Sequence, residues 1–139
     1  MSAPAPPPPG GLPDLLHWGA DGLVPVVVQA RATRQVLLVG SMSREALTRT
    51  LAEGRLWLWS RSRACLWLKG ETSGNFQQVD EIYVNCELTS LLVEVTSLGP
   101  ICHHGPTTCF YRRADAAGHL TPALAPLGVG PAAAEPPRH

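Results

Sequence analysis

Three cysteines and two histidines form the densest group of side chains that could do chemistry. Cys102, His103, His104 and Cys109 fall within eight residues, and Cys86 stands upstream at the end of a predicted strand. Thiolate and imidazole are ligands that zinc favours, and three protein ligands leave a fourth position where a water becomes nucleophilic near neutral pH. Because six residues separate Cys102 from Cys109, the spacing differs from the Cys-x-x-Cys of zinc ribbons and does not decide the metal alone.

Each of these side chains also has an alternative role. Cys86 continues an apolar pattern at every second position, so it could be a small buried residue on the core face of a strand. The fourth cysteine, Cys65, fits this buried role best. Adjacent loop histidines usually point in different directions, so only one of His103 and His104 is expected to act, and the sequence does not tell which.

A second group combines cations, hydroxyls and glycines. Arg61 and Arg63 lie in a Ser-Arg-Ser-Arg stretch, and Lys69, Thr72 and Ser73 lie in the stretch Lys-Gly-Glu-Thr-Ser-Gly. Arginine forks and hydroxyls suit phosphate oxygens, and glycines let backbone N–H groups approach an anion closely. The pattern suggests a phosphate cradle. It matches no Walker motif, so an exposed polar hairpin turn remains the alternative.

Short strands and a helix must position these residues. Apolar runs over 23–29 and 35–39 predict a hairpin, and Ser43 and Gly54 bracket a predicted helix over 44–53. Periodicity predicts four further strands, over 56–59, 65–68, 76–86 and 90–98. No predicted helices alternate with these strands, so we expect an α+β fold with mainly antiparallel sheet and one or two short helices.

Composition divides the chain into one domain and two tails. Proline-rich residues 1–19 predict a disordered leader, and the Pro/Ala-rich residues 119–139 predict a disordered tail. Residues 20–118 remain as a single domain. A core of this size gains much from a metal or an oligomer, so self-association is expected.

Charge and hydropathy argue against several partners. Eleven basic residues balance eleven acidic ones, which disfavours nucleic acid and anionic membrane surfaces. The sequence has no apolar stretch of membrane-spanning length and no pattern of a secretory signal. A cytoplasmic, reducing location is therefore expected, where cysteines serve as thiols or metal ligands more often than as disulfides.

Taken in order, these motifs resemble the phosphoribosyl-AMP cyclohydrolase family over about residues 22–112. The matching segments are Met-Ser-Arg-Glu-Ala-Leu at 42–47, Trp-Ser-Arg-Ser-Arg at 59–63, Leu-Trp-Leu-Lys-Gly-Glu-Thr-Ser-Gly-Asn at 66–75, Gly-Pro-Ile-Cys-His at 99–103 and Cys-Phe-Tyr-Arg at 109–112. The resemblance implies hydrolytic opening of the adenine ring of 1-(5-phosphoribosyl)-AMP between N1 and C6, a step of histidine biosynthesis. Water activated by zinc could attack C6, much as in the zinc deaminases.

The resemblance also implies roles for individual residues. Cys86 of one subunit would meet Cys102 and Cys109 of the other around one zinc per subunit, at the interface of an intertwined homodimer. His103 would be the acid/base group beside the metal; His104 stands where the family often has threonine. The candidates for binding the two phosphates of the nucleotide substrate are Arg61, Arg63, Lys69, Thr72 and Ser73.

One segment departs from the family. Where the family typically reads Asp-Cys-Asp-x-Asp and binds magnesium, this chain has Asn85, Glu87 and Thr89 around Cys86. Amide and hydroxyl oxygens lack the charge that magnesium prefers, so this degenerate magnesium site should bind the ion more weakly. Two alternatives stay open: a divergent paralogue that hydrolyses a related heterocyclic nucleotide in specialised metabolism, and a non-catalytic zinc dimer.

Overall fold

The computed structural model describes residues 11–72, 74–97 and 108–122. Two short helices, α1 and α2, accompany eight strands, β1 to β8. In chain order the elements are α1 Leu12–Leu15, β1 Leu23–Ala30, β2 Val36–Ser43, α2 Arg44–Glu53, β3 Trp57–Ser60, β4 Cys65–Leu68, β5 Gln77–Val84, β6 Leu91–Ser97, β7 Arg112–Ala114 and β8 Leu120–Pro122.

The principal sheet has four strands in the order β2-β1-β6-β5. The β1–β2 and β5–β6 pairs are antiparallel, whereas β1 and β6 run parallel. Two antiparallel hairpins, β3–β4 and β7–β8, complete the strands. The predicted α+β class, dominated by antiparallel pairing, is confirmed.

Helix α2 begins and ends as its sequence predicts. The Ser43 hydroxyl accepts a hydrogen bond from the backbone N–H of Ala46 at 3.1 Å, and Gly54 ends the helix with φ at +75°. The helix buries Ala46, Leu47 and Thr50. Its buried face joins a core built from alternate residues of the sheet, including Val24, Val26, Val28, Val93 and Val95.

Residues 11–19, which belong to the predicted leader, contain helix α1 and a residue of the core. Helix α1 has Pro13 in its first turn, where proline's fixed φ favours a helix, and Leu16 belongs to the core. The Trp18 indole N–H donates to the Pro13 carbonyl at 3.0 Å, and Arg44 forms a 2.8 Å ion pair with Asp14. Proline content pointed to disorder, although one of these prolines starts a helix.

The first residues of the predicted tail contain strand β8. Strand β8 pairs with β7, and the Thr121 hydroxyl donates to the Arg113 carbonyl at 3.1 Å. Residues 1–10 and 123–139, which carry the rest of both predicted tails, lie outside the described residues. No helix in the part of the chain that the structure describes is long and apolar enough to span a bilayer.

Candidate active site

Cys86 lies in the turn over residues 85–90 that joins β5 to β6, hereafter the Cys86 turn. Its thiol is exposed to solvent. The proposed alternative of a buried Cys86 on the core face is therefore wrong, and the same holds for Cys65, which is exposed on β4. The alternation of β5 stops at Val84 because Asn85 starts a turn, in which Leu88 takes a positive φ of 59°.

The side chain of Asn85 organises this turn. Its Oδ1 accepts the backbone N–H of Thr89 at 2.7 Å and that of Ser90 at 3.0 Å. Its Nδ2 donates to the Thr89 hydroxyl at 2.8 Å. Two of the three residues of the predicted magnesium site, Asn85 and Thr89, are thus hydrogen-bonded to each other. The third, Glu87, is exposed to solvent.

This arrangement does not fit magnesium. An amide oxygen has two lone pairs, and in Asn85 both face backbone donors. The Asn85 amide hydrogens, which repel a cation, lie toward the hydroxyl oxygen of Thr89. Magnesium needs near-octahedral oxygen ligands and prefers carboxylates, and Glu87 is the only carboxylate in the segment 85–89.

Cys109 lies at the opposite corner of the principal sheet. Its backbone N–H donates to the Leu37 carbonyl at 2.8 Å, outside the edge strand β2, and its thiol is exposed. Thr108 anchors the segment through its buried hydroxyl, which donates to the Val36 carbonyl at 2.7 Å. Since β2 and β5 are the two edges of the sheet, Cys86 and Cys109 are separated by its full width.

This separation prevents the two thiols of one chain from sharing an ion. From β5 to the segment outside β2 there are four interstrand spacings, or about 19 Å at about 4.8 Å each. Two sulfurs on one zinc lie within about 4.6 Å of each other, because each Zn–S bond is about 2.3 Å. The predicted ligand Cys102 and the histidines His103 and His104 lie outside the described residues. Within the described ranges, no three or more His, Cys, Asp or Glu side chains gather as a metal site.

Arg61 lies at the same end of the sheet as the Cys86 turn. Its Nε donates to the Ser41 hydroxyl at 2.9 Å, and its Nη1 pairs with Asp21 Oδ2 at 3.1 Å. Ser41 pairs with Pro25 of β1. The next residue of β1, Val26, pairs with Leu91 of β6, which pairs with Val84 of β5, the residue directly before the Cys86 turn.

Asp21 and Ser41 hold Arg61, and sequence reasoning did not single them out. Asp21 also accepts the backbone N–H of Leu23 at 3.0 Å, which fixes its carboxylate at the start of β1. An Asp-Gly pair directly before a strand is a turn signal, and it was the available hint for Asp21. The pairing of Ser41 with Arg61 depends on tertiary contact and leaves no local signal.

The predicted phosphate residues fall into two groups at opposite ends of the β3–β4 hairpin. Arg61 and Arg63 lie in its turn, whereas Lys69 and Thr72 follow β4. Four residue pairs separate the groups, a length of about 13 Å at 3.3 Å per residue. The structure therefore does not bring these side chains into one cradle, and Ser73 lies outside the described residues.

Lys69 and Gly70 shape the second group. Lys69 is 7% exposed, and its Nζ lies 4.6 Å from the centre of the Trp67 ring. Gly70 has φ at +99°, and a Cβ there would come within 2.6 Å of the Asn75 carbonyl. This close backbone approach, which requires glycine, holds the turn that presents Thr72 to solvent.

Comparisons with known proteins identify the family. The family model described as Phosphoribosyl-AMP cyclohydrolase matches residues 38–111. The chain belongs to the phosphoribosyl-AMP cyclohydrolase family. Proteins named phosphoribosyl-AMP cyclohydrolase from Lacticaseibacillus paracasei and Clavibacter michiganensis subsp. michiganensis are 50% and 45% identical to it, over 76% and 99% of this chain and 97% and 98% of their own lengths. One from Saccharolobus solfataricus is 60% identical over 56% of this chain and 92% of its own length.

The resemblance read from the sequence is therefore confirmed at the level of the cyclohydrolase family. The matched span of residues 38–111 contains all the predicted zinc, acid/base and phosphate residues. It leaves out β1, which carries Pro25, and the loop before β1, which carries Asp21, although both residues lie at the Arg61 end of the sheet.

Proposed function

We propose that this chain hydrolyses the N1–C6 bond in the adenine ring of 1-(5-phosphoribosyl)-AMP, a step of histidine biosynthesis, in the cytoplasm. It acts as a zinc-dependent hydrolase on a cyclic amidine C–N bond. The observation that carries the proposal is the placement of two exposed thiols, Cys86 and Cys109, at opposite corners of one sheet within a cyclohydrolase chain.

An intertwined homodimer accounts for this placement. Two chains related by a two-fold axis present the same surfaces to each other, so the Cys86 corner of one can face the Cys109 corner of its partner. Two zinc sites, one per subunit, then form at the interface. Cys102 completes each set beside Cys109.

The thiol donors fit zinc. Cys86 and Cys109 are accessible, and each follows a hydrogen-bonded anchor, Asn85 in one case and the buried Thr108 in the other. When bound to three thiolates, zinc supplies Lewis-acid activation of water. His103 would be the group that transfers a proton to the purine ring. Magnesium has no part in this scheme.

Two cationic ends of the β3–β4 hairpin suit a substrate with two phosphates. Arg61, oriented by Asp21 and Ser41, and Arg63 hold one phosphate. Lys69, Thr72 and Ser73 hold the other. A separation of about 13 Å along the hairpin suits two phosphates on different riboses better than a single pyrophosphate.

The ring-opening reaction tests this proposal directly. Zinc-loaded protein is mixed with phosphoribosyl-AMP, with and without magnesium, and ring opening is followed by ultraviolet absorbance. We expect turnover in both conditions, and Cys65→Ser serves as the control variant that keeps activity. Absence of turnover with zinc bound would contradict the proposal.

A second candidate is a paralogue that opens a related heterocyclic nucleotide. It is favoured by the hydrogen bonds between Asn85 and Thr89 at positions where the family typically carries carboxylates. Turnover of another purine-like nucleotide, with none of phosphoribosyl-AMP, would support it.

A further inference from the structure

The Cys86 turn is fixed by hydrogen bonds on several sides. Besides its three bonds through the Asn85 side chain, the Asn85 carbonyl accepts the backbone N–H of Leu88 at 3.0 Å. The Leu88 carbonyl in turn accepts the backbone N–H of His17 at 2.8 Å, which ties the turn to the segment after α1.

These hydrogen bonds hold the side chains of Asn85 and Thr89 together, which is also what a cation bound between them would do. A divalent ion between positions 85 and 89 would draw two side-chain oxygens together and neutralise their charge. Here the amide donates directly to the hydroxyl, so the two side chains are joined without an ion and without charge repulsion.

We propose that the Asn85–Thr89 hydrogen bonds replace a divalent cation at this turn, so that Cys86 is positioned for metal binding without magnesium. Asn85 and Thr89 are positioning residues that act through Cys86, which follows Asn85 directly. The part of this inference that concerns zinc rests on the proposed function, whereas the part that concerns magnesium does not.

The first experiment measures thermal denaturation of the full chain with and without magnesium. We expect about 10 mM Mg²⁺ to change the Tm of the natural protein by less than about 1 °C, because an ion that does not bind the native state adds no stability. Sodium chloride at matched ionic strength controls for charge screening. A rise of several degrees specific to Mg²⁺ would overturn the proposal.

The variant Asn85→Asp/Thr89→Asp supplies the opposite case. With Glu87 it places three carboxylates in one turn, which repel each other until a cation binds. We expect a lower Tm without magnesium and a recovery of about 3–6 °C with about 10 mM Mg²⁺. If magnesium acts equally on this variant and the natural protein, or on neither, the Asn85–Thr89 pair has not replaced a cation.

Zinc affinity tests the positioning role, with a chromophoric chelator as competitor. Asn85→Ala should weaken zinc binding by about tenfold, the lower end of the effect of outer-sphere groups on metal sites. Asn85→Asp should restore most of it, because a carboxylate oxygen accepts the same two backbone N–H groups. Thr89→Val, a milder change, should weaken zinc binding less than Asn85→Ala. Unchanged zinc affinity in both Asn85→Ala and Thr89→Val would overturn the positioning role. The proposed function would not fall with it, because ring opening by the natural protein is measured separately.

Discussion

In the Cys86 turn and in the β7–β8 turn over residues 115–119, one side-chain oxygen of the first residue accepts two backbone N–H groups. In the first, the Asn85 amide oxygen accepts two backbone N–H groups. In the second, the Asp115 carboxylate accepts the backbone N–H groups of Ala117 and His119, both at 2.9 Å. The two hairpin connections differ in the charge of the side chain that carries this oxygen and in the spacing of the N–H groups that it accepts.

That difference separates an organising side chain that titrates, Asp115, from one that does not, Asn85. The backbone N–H of His119 is the main cause that lowers the pKa of Asp115, because it stabilises the carboxylate. Asn85 carries no titratable group, and its amide can also donate, which lets it join Thr89. The hydrogen bonds that Asn85 makes in the turn of the predicted zinc ligand therefore depend on neither a carboxylate charge nor a bound cation.

The largest effect on activity should come from replacing Cys86, because the Cys86 turn carries a thiol and the β7–β8 turn does not. Cys86→Ser should lower zinc retention and ring-opening activity by at least about 100-fold, because the proposed metal site between subunits loses a ligand. Metal analysis after gel filtration and the absorbance assay measure both. Cys65→Ser and, in the other turn, His119→Ala are the matched controls. Full activity of Cys86→Ser would remove this cysteine from the site.

Arg61, a cation at the same end of the sheet as the Cys86 turn, should matter next. Arg61→Lys keeps the charge but loses the fork that contacts both Ser41 and Asp21, so we expect KM for phosphoribosyl-AMP to rise about tenfold with a smaller change in kcat. Arg113→Lys, on β7 beside the other turn, is the matched control and should leave KM unchanged. Equal effects of the two variants would argue against a specific role for Arg61.

Removing the organising side chains compares the two turns directly. Asn85→Ala should lower the free energy of unfolding by about 1 kcal/mol, the usual net value of such hydrogen bonds. Asp115→Ala should lower the free energy of unfolding by less, because its turn joins two exposed strands of only three residues each. Urea denaturation at one fixed protein concentration measures both, since the stability of the proposed dimer depends on concentration. A larger loss in Asp115→Ala would reverse the ranking.

Local signals predicted much of this fold, and long-range contacts account for what they missed. Ser43 and Gly54 marked α2 correctly because capping is a property of the adjacent backbone. The period-two pattern extended β5 as far as Cys86, because a pattern of apolar residues does not show that the Asn85 side chain folds back onto its own turn. The parallel pairing of β1 with β6 joins residues more than sixty positions apart, and no local pattern encodes it.

The predicted site shows the same division. Residue types identified the thiols and cations, since zinc and phosphate chemistry depend on them. Their grouping was not predictable: the cations separate to two ends of a hairpin, and Asp21 is recruited from the loop before β1. The position of Cys86 and Cys109 at opposite corners follows from strand order, which only the fold supplies.

The smallest effect we expect is the pH dependence of the β7–β8 turn. Because folding lowers the pKa of Asp115 below its ordinary value of 3.8, its contribution to stability is complete above that value and is lost as the pH falls through the lowered pKa. Asp115→Asn keeps the oxygen that accepts both N–H groups but removes the titration, so it imitates the Asn85 arrangement. The Tm of the natural protein should exceed that of Asp115→Asn slightly near neutral pH, and the gap should close in strong acid. A gap that widens in acid would show that charge does not stabilise this turn, and the contrast with Asn85 would then rest on the Thr89 hydroxyl alone.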